Sequence, residues 1–159
     1  MTIILTRHFE GATDAVLDAP APDVFAALTD IDRLPTWNAH IERVLEPASA
    51  PLDEGVEWVV RMRAMGTTWP SRARVLVHDP VAYRFEHVSR SDDGNPSWAD
   101  WRWQVTPLPD GRSRLSVSWA VNPRTFWRQL LFSKIRHAQL DEEVPASLAA
   151  LARTVAVSR

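Results

Sequence analysis

Between Asn38 and Val121 apolar side chains recur at every second position, segment after segment, and this regularity leaves few folds open. The candidate strands are Ala39–Glu46, Gly55–Met65, Thr67–His78, Val81–Ser89, Pro96–Pro107 and Arg112–Val121. Pro51, Asp53 and Gly55, then Gly66, Asp79-Pro80, Asp92-Asp93-Gly94-Asn95 and Pro109-Asp110-Gly111 separate them, residues that turn or break an extended backbone. Successive side chains of a strand point to opposite faces. Over the last five strands one face collects Trp58, Val60, Met62, Trp69, Ser71, Ala73, Val75, Tyr83, Phe85, His87, Trp101, Trp103, Val105, Leu115, Val117 and Trp119. The other face collects Arg61, Arg63, Arg72, Arg74, Arg84, Glu86, Asp100, Arg102, Gln104, Arg114 and Ser116. A sheet with one dry and one wet face follows, and the short turns make it antiparallel. The alternation of Ala39–Glu46 fits either facing.

The flanks read differently. A further strand is expected within Arg7–Asp18, closed by Ala19-Pro20, which brings the sheet to seven strands. A short helix follows over Pro22–Leu28, with Asp23 suited to its N-terminus and Val24, Phe25 and Leu28 on one side. Thr29–Thr36 reads as a second short helix ended by Pro35. After Asn122-Pro123 the period becomes helical: Phe126, Trp127, Leu130, Leu131, Ile135, Ala138, Leu140, Val144, Leu148, Leu151 and Val155 form one apolar stripe. At about 1.5 Å per residue such a helix is about 45 Å long, enough to cross the sheet. Pro145 should kink it, since proline removes one backbone hydrogen bond.

The segments Ala19-Pro20-Ala21-Pro22-Asp23-Val24-Phe25, Leu34-Pro35-Thr36-Trp37-Asn38 and Val105-Thr106-Pro107-Leu108 resemble the helix-grip superfamily of START domains, polyketide cyclases/dehydrases and pollen-allergen-like proteins, together called SRPBCC. The likeness is closest to the polyketide cyclase/dehydrase-like branch. It implies an α+β fold of order β-α-α-β6-α, in which a seven-stranded curved antiparallel sheet wraps a long C-terminal helix and leaves an apolar cavity between them. The expectation is a single domain over residues 1–159. The superfamily hosts many functions, so the resemblance names a container and not its contents.

Composition narrows the function classes. The absence of cysteine excludes disulfides, Cys-ligated metals and thiol nucleophiles. The five histidines fall at no metal-binding spacing, and nucleotide-binding glycine loops and hydrolase motifs are missing, so neither metal nor cofactor is expected. The apolar patch of Met1–Arg7 is too short for a secretory core and no run reaches membrane-spanning length, which gives a cytoplasmic protein without stable membrane insertion. The arginines of the wet face share it with Glu57, Glu86 and Asp100, and the net charge is −2, so nucleic acid is not the expected partner. A monomer or homodimer is expected.

Eight tryptophans, against one tyrosine and five phenylalanines, carry the functional reading. Any one of them is a good core residue, but large flat rings along a curved sheet also suit the wall of an apolar pocket. The expected ligand contacts are Trp58, Met62, Trp69, Ser71, Tyr83, Phe85, His87, Trp101, Trp103 and Trp119 on the sheet, facing Trp127, Leu131, Ile135 and Ala138 on the helix. His87, Tyr83 and Ser71 are the polar candidates for handling a proton or a ligand oxygen; the plainer alternative for each is a satisfied polar group at the sheet rim. The reading is binding or transport of a hydrophobic or aromatic small molecule. Its rivals are a cyclase, dehydratase or isomerase acting on a polyketide-like or steroid-like substrate, and a protein-interaction or co-chaperone-like module working through the charged face.

Overall fold

The computed structural model describes residues 9–64, 66–92, 98–122 and 144–155. Seven strands run in chain order: β1 (Phe9–Leu17), β2 (Ile41–Glu46), β3 (Glu57–Ala64), β4 (Thr67–Asp79), β5 (Arg84–Ser91), β6 (Trp98–Pro107) and β7 (Ser113–Asn122). Between β1 and β2 lie helix α1 (Ala21–Leu28), a 3₁₀ turn at Ile31–Arg33 and the single turn α2 (Leu34–Trp37). A last helix, α3, covers residues 144–155. The strands form one curved antiparallel sheet in the order β1-β7-β6-β5-β4-β3-β2, the helix-grip arrangement. Residues 123–143 lie outside the described residues, and with them the turn before Pro145, against which its expected kink would form; Pro145 itself is in α3.

One apolar core joins sheet and helices. Trp58, Val75, Phe85, Trp103, Val105, Leu115, Val117 and Trp119 are buried from the sheet side. From the helices come Val24, Phe25 and Leu28 of α1 and Val144, Leu148, Leu151 and Val155 of α3, the latter spaced four, three and four apart as one helical face requires. Asp23 sits in the first turn of α1, whose opening N–H groups at Asp23 and Val24 donate to the Pro20 carbonyl. The buried Ser113 hydroxyl donates to the Ala19 carbonyl at 2.6 Å, fastening the corner between β1 and α1 to the start of β7.

Three local expectations are corrected. Pro35 does not end a helix: it lies in the first turn of α2, where its missing N–H has no partner to lose. Tyr83 does not belong to a strand: it occupies the β4–β5 turn with φ 57°, and its ring packs on Phe25 at 5.8 Å. In β4 the pairing steps from Val75↔His87 to Val77↔Glu86, so Leu76 is an extra residue, 44 % exposed. This bulge reverses the alternation beyond it and turns His78 inward, opposite Phe85 and stacked on Phe25 at 5.5 Å. β2 has two such irregularities, after Ile41 and after Val44, which is why its alternation is compatible with either facing.

Candidate ligand-binding cavity

A cavity of about 250 Å³ lies between the inner face of the sheet and the helical segment that follows β1. The helical side contributes Leu28, Ile31, Leu34 and Trp37, and Ile41 enters from the start of β2. The sheet contributes Trp58, Val60 and Met62 from β3, Trp69, Ser71 and Ala73 from β4, Phe85, His87, Ser89 and Ser91 from β5, Trp98, Ala99, Trp101 and Trp103 from β6, and Val121 from β7. For scale, a dry apolar cavity of about 150 Å³ already accepts a benzene ring.

The wall is graded along β5. Phe85 is buried at one end; His87, Ser89 and Ser91 follow at every second position, and Ser91 lies opposite Ser71 in the register. The deep end is therefore ringed by Trp58, Phe85 and Trp103, while Ser71, Ser89, Ser91 and Asn38 supply hydroxyl and amide groups at the other. The Trp101 indole donates to the Ser89 hydroxyl at 3.2 Å. Arg90 is the one charged residue among the described lining residues.

His87 sits inside a cage of rings: Phe85 at 5.1 Å, Trp58 at 5.4 Å and Trp101 at 6.3 Å between centroids. The Trp103 indole N–H donates to its Nε2 at 3.2 Å. It is half-buried and lines the cavity. Burial disfavours the charged imidazolium and pushes the pKa from 6.5 down to about 3. His87 is thus neutral near pH 7.

Of the residues expected to contact a ligand, Trp58, Met62, Trp69, Ser71, Phe85, His87, Trp101 and Trp103 line the cavity. Tyr83 and Trp119 do not: Tyr83 is held away in its turn, and Trp119 is buried beside its register partner Trp101, their rings 6.0 Å apart, with its indole over Gly11 of β1. Trp127, Leu131, Ile135 and Ala138 lie outside the described residues. The alternation that selected Phe85 and His87 runs on through Ser89 and Ser91, but their small polar side chains gave no apolar signal. Trp37 stood in a recognisable motif, yet nothing in the spacing of a four-residue turn shows that its ring meets Trp103 edge-on at 6.1 Å. Among the described residues no group of three His, Asp or Glu side chains could hold a metal ion. No helix among them is long and apolar enough to cross a membrane.

A curved antiparallel sheet packed on a C-terminal helix, with an aromatic cavity under the helical segment that follows β1, defines a helix-grip protein, a ligand-binding or polyketide cyclase-like module. The chain belongs to the family described as polyketide cyclase / dehydrase and lipid transport, whose model matches residues 8–156. Among solved structures it is similar to the Zhui aromatase/cyclase of a Streptomyces species, at 16 % identity over 94 % of both chains with a TM-score of 0.76. It is also similar to a START superfamily protein of Mycobacterium smegmatis, at 14 % identity over 95 % of this chain and 99 % of that one, TM-score 0.76. A protein of Chromobacterium violaceum matches at 24 % identity over 92 % and 96 % of the two chains, TM-score 0.72. At these identities the likeness speaks for the fold alone. No curated protein matches the sequence at a significant level.

Proposed function

We propose that this protein binds, and in that way carries, a small aromatic or polycyclic molecule in the cavity between the sheet and the helices. The observation that supports this best is the wall itself: Trp37, Trp58, Trp69, Trp98, Trp101 and Trp103 surround about 250 Å³ that no side chain among the described residues fills. A core built only for stability closes such space, because each unfilled cubic ångström costs about 24 cal/mol. Binding is favoured over a cyclase, dehydratase or isomerase reaction by the state of His87. No carboxylate stands among the described lining residues to pair with its imidazole, Tyr83 is held out of the cavity in its turn, and burial lowers the imidazole's pKa and favours its neutral form.

Ala99 tests the reading, because it faces the cavity from β6 opposite Ser89. Ala99→Phe places a ring in the space and removes no existing contact. Titrated with an apolar dye whose emission rises in dry surroundings, the wild type should take up the dye with a saturable curve. Ala99→Phe should weaken uptake at least about tenfold with its denaturant midpoint held or raised. A wild type that takes up no apolar probe would show the aromatics to be packing alone.

A further inference from the structure

The polar atoms of the cavity wall do not all satisfy one another. An indole N–H can only donate, so the Nε2 of His87 that receives the Trp103 hydrogen bond must present a lone pair. A neutral imidazole carries one proton, which therefore sits on Nδ1. That Nδ1 is buried and has no hydrogen-bond partner among the described residues. Its surroundings explain why: Trp58, Phe85 and Trp101 offer ring faces and edges but no acceptor atom. Two further buried donors share the condition: the indole N–H of Trp119, which does not line the cavity, and that of Trp37, which does and whose ring stands edge-on to the same Trp103. Buried donors left unpaired are rare in folded proteins, and two of them flank one residue of this wall.

We propose that Trp103 is a positioning residue that holds His87 with its proton on Nδ1, and that this N–H is the donor recognising a ligand oxygen. The cavity then prefers planar apolar molecules carrying a carbonyl or other neutral oxygen acceptor to plain hydrocarbons of the same shape. A cationic ligand is disfavoured, since both orphaned groups of the wall present hydrogen and not lone pairs. The proposal rests on the binding reading above and adds to it the chemistry of the ligand.

The test uses a matched pair of probes, 2-acetylnaphthalene and 2-ethylnaphthalene, competing with the apolar dye, together with nitrogen NMR of protein labelled in histidine. In the wild type, His87 should show a protonated Nδ1 and an unprotonated Nε2, and the acetyl compound should bind about tenfold more tightly than the ethyl compound, the scale of one hydrogen bond to a buried donor. Trp103→Phe keeps a ring but removes the donor; the His87 signals should move towards the other tautomer and the preference should shrink. His87→Phe should bring the ratio of affinities close to one. A wild-type His87 protonated on Nε2, or equal binding of the two compounds, overturns the assignment while leaving the container standing. A wild type that binds neither compound overturns both. Tautomer and ratio are read first on the wild type, so they decide the matter even where a variant fails to fold.

Discussion

His87 ties the stability of the fold to pH. In the unfolded chain its imidazole takes up a proton near pH 6.5, whereas burial lowers the folded value to about 3. Between those values the unfolded state binds the extra proton, so folding weakens as pH falls, by about 1.4 kcal/mol per pH unit, and above the unfolded value the effect vanishes. Contributions common to the two chains cancel in a comparison with a His87→Phe variant. Urea midpoints at about pH 7.5 and about pH 5 should therefore fall further for the wild type than for His87→Phe, by a difference worth about 2 kcal/mol. Parallel losses in the two proteins would show that the imidazole is not buried as described.

At the scale of the element, β1 and β7 are joined through a glycine. Gly11 lies opposite Trp119, and a Cβ at position 11 would run into the indole ring of Trp119. Gly11→Ala should cost about 1–3 kcal/mol by overpacking, and Trp119→Phe in the same chain should recover part of it; denaturant midpoints of the single and double variants check both. The strands themselves were legible because their inner and outer residues differ so sharply, Trp101 and Trp103 against Arg102 being the plainest case. The bulge at Leu76 was not, since Val75, Leu76 and Val77 are all apolar and an extra residue leaves no mark on such a run. Tyr83 was misplaced for a related reason: an aromatic two residues before Phe85 continues the alternation on paper, while the left-handed turn is set by the Asp79 carboxylate, which accepts from the N–H groups of Val81 and Ala82. Much of the aromatic wall could thus be read from strand periodicity, but its helical side and its serines could not, because α2 is too short for a period and serine carries no facing signal.

Over the whole molecule, the outer face of the sheet is a mesh of paired charges. Arg72 reaches Asp92 at 3.1 Å and Glu46 at 3.3 Å, and Glu86 accepts from both Arg84 at 3.2 Å and Arg102 at 3.1 Å. Such half-exposed pairs contribute little, so replacing Arg72 and Arg74 together with Gln should shift stability by less than about 1 kcal/mol. Salt-sensitive retention of the wild type on duplex DNA, lost in that double variant, would show instead that the face is a binding surface. The inner face has a different consequence, an optical one. Six of the seven tryptophans among the described residues stand on the cavity wall, and Trp101 stacks on Trp103 at 6.2 Å and meets Trp119 at 6.0 Å. Indoles this close couple their electronic transitions, and any guest with an absorbing ring would sit within energy-transfer range of most of the emitting groups in the protein. The ultraviolet emission of the chain is then a built-in gauge of whether the cavity is empty or full, readable without a label and in a mixture of candidate guests.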